Sequence, residues 1–262
     1  MDIIQVDELK LYFGEDIKIA DGIVVKSPQI GQIVDYGERL YFNVAQMLCA
    51  TPSSMKVELN DKMKIDWMKI SDFELFMILC QQQVFQPEQT SILLGDLNLS
   101  QLKPFPKTEN GEVVLSNDDH TIEINEVIYN VMVTYLRKMH NFKKQVDKAG
   151  NSMTHRVLLD IARQDAKMAE KKPYTSFLRP LVSAMQGRLK YTKQYIREMG
   201  VFEFFDQISR AQIIVQSDAL LHGAYGGMMD SRKIDKREFD WMRDISDESS
   251  NNNKTVLKEG AN

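Results

Sequence analysis

Short apolar runs alternate with polar residues at the start of the chain and predict a small β-meander. The runs span 9–13, 16–20 and 23–26, and each is rich in residues that favour strands. Asp21-Gly22 lies between the second and third runs. Because an Asp-Gly dipeptide between two apolar runs is typical of a type I′ turn, we expect a β-hairpin there.

Helical spacing of the apolar positions begins after the meander. Most apolar residues between Gln29 and Cys49 fit one face of a helix. Gly31 and Gly37 fall inside this stretch, and glycine weakens a helix because it has the largest backbone freedom to lose. The sequence predicts a helix over about 29–49, with the two glycines as its weak points.

A capping box marks the beginning of the next helix. Ser71 is a favourable N-cap residue, and Glu74 stands three positions later. In this arrangement each side chain accepts a hydrogen bond from the backbone N–H of the other residue. The sequence therefore predicts a helix from about 72 to 83.

Residues 84–124 change character, because prolines break the helical pattern and β-prone runs replace it. Three runs are predicted to be short strands: 91–99, 112–115 and 121–124. Asn110-Gly111 precedes the second run and is typical of a hairpin turn. We expect a small β-ribbon inserted between helical parts of the chain.

From Asn125 onward the apolar residues follow the helical period almost to the end of the chain. Long helices are predicted from Asn125 to about Gly150, at 152–171 and at 201–221. Gly223 is predicted to cap the last of these in the left-handed conformation. Asp235 and Glu238 form a variant capping box and predict the start of another helix.

Together these elements predict a mainly α fold with a small β part, in the α+β class. Four segments follow from the changes in pattern: an N-terminal β-meander with helices at 1–83, an inserted β-ribbon at 84–124, a helical domain at 125–246 and a tail at 247–262. The tail is polar with few apolar residues, so it is predicted to be disordered.

Three glycines in the phrase HGAYGG, from His222 to Gly227, raise the question of a phosphate-binding loop. A Walker A loop needs GxxxxGK followed by Ser or Thr, and a dinucleotide-binding loop needs GxGxxG after a strand. Here two methionines follow Gly227, and the phrase follows a predicted helix. We interpret it as a joint between two helices.

Other residues that could carry chemistry do not form known spacings. The four histidines fall in no HExxH or comparable ligand pattern, and no GxSxG motif is present. We therefore expect no catalytic residues, no metal and no cofactor. An active site assembled from distant residues would leave no such signal in the sequence.

Cys49 and Cys80 lie in apolar helical runs and are predicted to be buried thiols in a reducing compartment. The acidic N-terminus lacks the basic and apolar regions of a signal peptide. No run reaches the roughly 18 apolar residues of a membrane span. We therefore expect a cytoplasmic protein with no membrane partner.

Charge is distributed unevenly along the chain. Residues 1–136 carry 10 Lys and Arg against 21 Asp and Glu, residues 137–197 carry 15 against 4, and residues 198–262 carry 8 against 12. A basic middle region is therefore flanked by acidic ends. This asymmetry is the most informative global feature of the sequence.

The candidate residues of the basic region are Arg137, Lys138, Lys143, Lys144, Lys148, Arg156, Arg163 and Lys167, followed by Lys171 and Lys172. One interpretation is a patch that binds an acidic protein or a nucleic acid. The other is a solvated helical face balanced by the acidic ends of the same chain. Aromatic residues do not alternate with the cations as in RNA-binding motifs, and the pI is about 5.7, so nucleic acid is the less favoured partner.

Both tryptophans occur in the same short phrase, Asp-Trp-Met-Lys at 66–69 and Asp-Trp-Met-Arg at 240–243. One interpretation is coincidence, with each ring serving as a core or interface anchor. The other makes Trp67 and Trp241 docking aromatics, because exposed Trp and Met side chains are typical of binding surfaces.

Six phrases in a fixed order resemble a group of proteins from tailed bacteriophages and prophages of Gram-positive bacteria. They are LYFGEDIKI, SPQIGQIVDYGERLYF, KISDFELF, YLRKMHNFKK, FLRPLVSAM and HGAYGGMMDSRKIDKREFDWM. The resemblance extends over nearly the whole chain up to about residue 245. Proteins of this group are encoded among structural and tail-morphogenesis genes.

The resemblance implies a tail assembly chaperone, a non-enzymatic protein that binds the tape measure protein or tail tube subunits before they polymerise. It implies no catalytic residues. The alternative is a minor structural component of the virion, such as a connector or tail protein. The expected location is the host cytoplasm for a chaperone and the particle for a virion component.

Overall fold

The fold is mainly helical with two small antiparallel sheets, which confirms the predicted α+β class. It is known from a computed structural model, which describes residues 6–106, 112–148, 150–227 and 234–245. The tail at 247–262 and the Asn110-Gly111 turn, both predicted from the sequence, lie outside these described residues.

The elements follow one another in a simple order. The first part of the chain forms α1 (Glu8–Tyr12), β1 (Ile17–Ala20), β2 (Ile23–Val25), α2 (Ile30–Tyr36), α3 (Glu38–Leu48), α4 (Asp72–Gln81) and α5 (Pro87–Leu94). The second part forms β3 (Lys103–Pro106), β4 (Val113–Ser116), β5 (Glu123–Ile124), α6 (Glu126–Met139), α7 (Ser152–Glu170), α8 (Leu178–Ala184), α9 (Lys193–Glu198) and α10 (Val201–Tyr225). Single turns of 3-10 or π-helix lie at Glu58–Met63, Leu99–Gln101, Met185–Leu189 and Lys236–Phe239.

The N-terminal hairpin is confirmed as β1 and β2, but its turn and the preceding segment differ from the prediction. Of the two turn residues, only Gly22 has a positive φ, at 72°, whereas a type I′ turn needs it at both. The predicted strand at 9–13 is wrong, because the chain forms α1 there. Asp7 caps this helix by accepting a hydrogen bond from the Lys10 N–H at 3.2 Å.

The helix predicted over 29–49 is divided into α2 and α3. The break falls at Gly37, whose φ of 106° is outside the range of ordinary residues, while Gly31 stays within α2. The capping box before α4 is confirmed. The Glu74 N–H donates to the Ser71 hydroxyl at 3.1 Å, and the Ser71 N–H donates to the Glu74 carboxylate at 2.6 Å.

The β-ribbon exists as a three-stranded antiparallel sheet in the order β3-β4-β5. The predicted strands at 112–115 and 121–124 correspond to β4 and β5. The predicted strand at 91–99 is wrong, because its first half belongs to α5. Pro87 is the first residue of that helix, where a missing N–H costs nothing.

Two helix ends in the C-terminal half also differ from the prediction. The helix starting after Asn125 ends at Met139 rather than near Gly150, while α7 confirms the helix predicted at 152–171. Gly223 is not a cap, because α10 continues to Tyr225 and the left-handed residue is Gly227. The helix predicted after Asp235 is only a single 3-10 turn.

One buried apolar cluster joins the two ends of the chain. It contains, among others, Leu11 of α1, Tyr41 of α3, Tyr129 of α6 and Phe204 of α10. Backbone hydrogen bonds reinforce this contact, since the Ile30 N–H donates to the Met199 carbonyl at 2.9 Å and the Val201 N–H donates to the Pro28 carbonyl at 3.0 Å. As a result α10 is held against the N-terminal elements, beside the candidate site.

Candidate protein-binding groove

A groove of 980 Å³ lies between α6, α10 and the segments at the two ends of the described chain. Its apolar lining comprises Val6, Phe142, Phe202, Phe205 and Ile245. Its charged lining comprises Glu8, Arg137, Lys138, Lys143, Lys144, Asp206, Arg210 and Asp244. Four of the ten basic residues singled out in the sequence therefore meet here, beside aromatic rings that sequence reasoning did not associate with them.

The end of α6 places Phe142 in this groove. Asn141 adopts a left-handed conformation with φ of 54°. The Asn141 N–H donates to the Lys138 carbonyl at 3.2 Å, and the Phe142 N–H donates to the Arg137 carbonyl at 2.9 Å. These two bonds form a Schellman motif, which turns the chain away from the helix axis. Asparagine is the commonest substitute for glycine at this position, so Asn141 was the signal that sequence reasoning missed.

A buried histidine supports Phe142 from behind. The His140 Nδ1 lies 2.7 Å from the Leu136 carbonyl oxygen, and because a carbonyl only accepts, Nδ1 carries the proton. The unprotonated Nε2 then accepts the Tyr41 hydroxyl at 2.6 Å. Burial lowers the pKa of His140 to about 4. The neutral ring stacks on Phe142 with 5.1 Å between centroids.

Acidic residues from the N-terminal region neutralise three of the four basic residues in the groove. Lys138 lies 2.7 Å from Glu8, and Lys144 lies 2.8 Å from Asp72. Arg137 shares Asp72 at 3.6 Å and also donates to the Cys49 carbonyl at 2.9 Å. For these three cations the structure favours the interpretation of a face balanced by the acidic end of the same chain.

Lys143 differs from its neighbours. Its side chain is exposed, and within the described part of the chain no carboxylate lies within ion-pair distance of it. It follows Phe142 directly, so an unneutralised cation stands next to an aromatic ring at the groove.

The far wall of the groove carries a carboxylate and an arginine from α10. Burial raises the pKa of Asp206, and the Arg210 guanidinium opposes that shift. Arg210 also donates to the carbonyl oxygens of Trp241 and Arg243 at 2.9 and 2.8 Å. One side chain therefore lines the groove and holds the segment at 234–245 against α10.

The two candidate docking aromatics have different environments. Trp241 is 49% exposed and belongs to the segment that Arg210 holds at the groove. Trp67 is only 2% exposed, so it cannot serve as a docking residue in this structure. Its ring stacks on His155 with 5.5 Å between centroids, and the Lys56 ammonium lies 5.7 Å from its ring centre.

The remaining basic candidates do not extend the groove. Arg163 is bound to Asp61 at 2.5 Å and to Asp160 at 2.8 Å. Lys148, Arg156 and Lys167 are exposed; Lys148 lies between α6 and α7, and the other two lie on α7. Lys171 and Lys172 are also exposed and lie after α7, so the ten residues do not form one continuous face.

The residues considered for chemistry are placed as follows. Cys49 and Cys80 are buried thiols, as predicted, and burial raises the pKa of each to about 12.

In the described ranges, no group of three or more His, Cys, Asp or Glu side chains could hold a metal ion. Within those same ranges, no helix has the length and hydropathy needed to cross a membrane.

Comparisons with known proteins leave the groove as the main guide to function. The chain matches no family model, no curated protein and no solved structure. The resemblance to phage tail proteins therefore depends on the sequence phrases alone, and the chemistry of the site must be argued from the groove.

Proposed function

We propose that the protein is a non-enzymatic tail assembly factor of a tailed bacteriophage. In this proposal the groove holds an amphipathic segment of the tape measure protein or of the tail tube subunit before polymerisation. The sequence phrases motivate the identity of the partner, and the groove motivates the mode of binding.

The observation that carries the proposal is the combination of a partly exposed apolar lining with Lys143, which no carboxylate of the described residues neutralises. Interface anchors are typically aromatic side chains at the centre of a contact, with charges around them. Phe142, which is partly exposed, supplies such a ring here, whereas Phe205 lines the same groove but is only 8% exposed and belongs to the core. Phe142 is held by the stacked His140 ring at 5.1 Å between centroids, so little side-chain freedom is lost on binding.

The charges indicate which segment would fit. A carboxylate of the partner can pair with Lys143, while its apolar side chains cover the partly exposed Val6, Phe142 and Ile245. Asp206 lies in the same groove and can accept a basic residue of the partner, whereas Glu8 is already paired with Lys138. An amphipathic helix that carries both signs of charge satisfies these groups, as in other helix-in-groove complexes.

The test is co-expression with the tape measure and tube proteins encoded in the same genome, followed by co-purification and a binding titration. We expect a stable complex with one of them. Lys143→Glu should weaken it about tenfold, because one charge reversal at a contact removes roughly 1.4 kcal/mol or more. Lys148→Glu is the matched control, since Lys148 is also exposed but lies outside the groove.

Two results would contradict the proposal. A genome that encodes no tail proteins removes the partner altogether. A complex whose affinity is unchanged by Lys143→Glu removes the groove from the mechanism. Mass spectrometry of purified particles separates the two tail-related functions, because abundance in the virion would favour a structural component over an assembly factor.

A further inference from the structure

The outer face of α7 is apolar although nothing in the described structure covers it. Four side chains on this face, which we call the α7 stripe, are Met153, Val157, Ile161 and Met168, with exposures of 77%, 47%, 51% and 62%. Their spacing of four, four and seven residues places them in one line along the helix, which the exposed Gln164 interrupts between Ile161 and Met168. An exposed apolar line of this length is typical of an interaction surface.

The opposite face of α7 attaches the helix to the rest of the protein. Leu159 is the buried side chain of α7, Arg163 pairs with Asp61 at 2.5 Å, and His155 stacks on Trp67. These residues lie about half a turn away from the α7 stripe. The stripe therefore points away from the body and is accessible to a partner.

The charges beside the α7 stripe are self-complementary. Asp160 and Lys167 are seven residues apart, so they lie on the same flank of the stripe. The centre of the stripe falls between Ile161 and Gln164, with Asp160 before it and Lys167 after it in the sequence. In an antiparallel pair of identical helices, each flank faces the same flank of the other copy. Asp160, which also pairs with Arg163 of its own helix at 2.8 Å, then faces Lys167 of the other copy, and the pairing occurs twice by symmetry.

We infer that α7 pairs antiparallel with α7 of a second copy of this chain. The pairing brings Val157 against Met168 and Ile161 against Gln164 in each direction, as in an antiparallel coiled coil. The helix spans about 28 Å at 1.5 Å per residue, so the interface is near the lower limit of about 1,000 Å² for specific contacts. The expected dimer is therefore weak and concentration-dependent.

Analytical ultracentrifugation of the full chain between about 1 and about 200 μM tests this inference, the range being set by the expected weak interface. The sedimentation coefficient should rise with concentration. Val157→Asp should keep the chain monomeric throughout. Val34→Asp is the matched control, because Val34 is also a helical valine, with 48% exposure, and this variant should dimerise like the wild type.

Charge exchange tests the antiparallel register. Asp160→Lys alone and Lys167→Asp alone should each weaken the dimer several-fold, because like charges then face each other. The double variant, with both changes, should recover most of the wild-type association. Failure of this recovery would overturn the antiparallel pairing even if the chain dimerises.

A wild-type chain that stays monomeric over the whole range overturns the inference. Binding of such a monomer to phosphatidylglycerol vesicles, lost in Val157→Asp, would then assign the stripe to a membrane surface. Binding of the monomer to one tail protein, lost in the same variant, would assign it to that protein.

Discussion

The two Asp-Trp-Met phrases share a local structure but differ in their environment. In both, the Asp carboxylate accepts a hydrogen bond from the Met N–H, at 3.1 Å in 66–69 and 2.9 Å in 240–243. In both, the Asp carbonyl accepts the N–H of the fourth residue, at 3.0 and 3.3 Å. Yet the first tryptophan is buried and the second is half exposed.

The difference shows which properties a short phrase determines. The Asp side chain stabilises the turn through bonds to its own backbone, so the turn is encoded locally. Burial depends on what the rest of the chain brings to the ring. At Trp67 it is His155 from α7 and Lys56, whereas Trp241 is fixed through its carbonyl by Arg210.

The largest expected effect is on stability when each tryptophan is truncated. Trp67→Ala should lower the free energy of unfolding by about 3–5 kcal/mol, because it removes a large buried ring. Trp241→Ala should lower it by less than about 1 kcal/mol, as for most surface changes. Urea denaturation of both variants measures the difference in the free energy of unfolding. Equal losses of stability would contradict the different environments of the two tryptophans.

Acid should weaken the core behind the groove. The pKa of His140 is about 4 in the folded state and about 6.5 in the unfolded state. Because the unfolded state binds the proton more readily, stability is complete above pH 6.5 and falls as the pH drops to 4. The expected loss is about 3 kcal/mol.

Urea denaturation at several pH values measures how the free energy of unfolding depends on pH. His140→Leu should be less stable at neutral pH but should lose most of the acid dependence between pH 6.5 and 4. His222→Leu is the control, since His222 is exposed, and it should keep the wild-type slope. Equal slopes in the two variants would show that another group causes the acid response.

A smaller effect is expected when the segment carrying Trp241 is released from α10. The Arg243 side chain is nearly buried and donates to the Ser217 hydroxyl at 3.2 Å and the Glu238 carbonyl at 3.1 Å. Arg243→Ala should cost about 2 kcal/mol of local stability. Amide hydrogen exchange should accelerate at 236–239 and remain unchanged around Trp67. Unchanged exchange at 236–239 would show that the Arg243 side chain does not hold this segment against α10.

The smallest effect concerns the turns themselves. Asp66→Ala and Asp240→Ala should each cost about 1 kcal/mol or less, because each removes one side-chain acceptor from a backbone N–H. Asp66→Asn and Asp240→Asn retain an acceptor oxygen and should recover most of that loss. Thermal unfolding of the four variants provides the measurement. A failure of the Asn variants to recover would mean that the carboxylate charge, not the turn, is responsible.

Sequence reasoning worked where the decisive interactions were local. The Ser71 and Glu74 capping box needs only its own four residues, so α4 was predicted correctly. The prediction of a strand at 91–99 was wrong, because the β-prone residues themselves do not show that a helix begins upstream of them at Pro87. The prediction of a strand at 9–13 was wrong for the same reason, since the helix there depends on the upstream N-cap Asp7.

The groove could be predicted only in part. Charge alone identified Arg137, Lys138, Lys143 and Lys144, which are close in the sequence. It could not show that Phe202 and Phe205 would line the same groove, because α10 reaches it through long-range packing. Nor could it show which cations are neutralised, since Glu8 and Asp72 are distant in the sequence.

Fluorine NMR of the chain labelled with fluorotryptophan tests the proposed groove binding most directly, because one resonance reports from each tryptophan. Trp241→Phe assigns the two signals. On addition of the tape measure or tube protein, the Trp241 resonance should shift and the Trp67 resonance should stay in place, and Lys143→Glu should reduce the shift. If the partner binds and the Trp241 resonance does not move, or if Lys143→Glu leaves the shift unchanged, the groove is not the binding site.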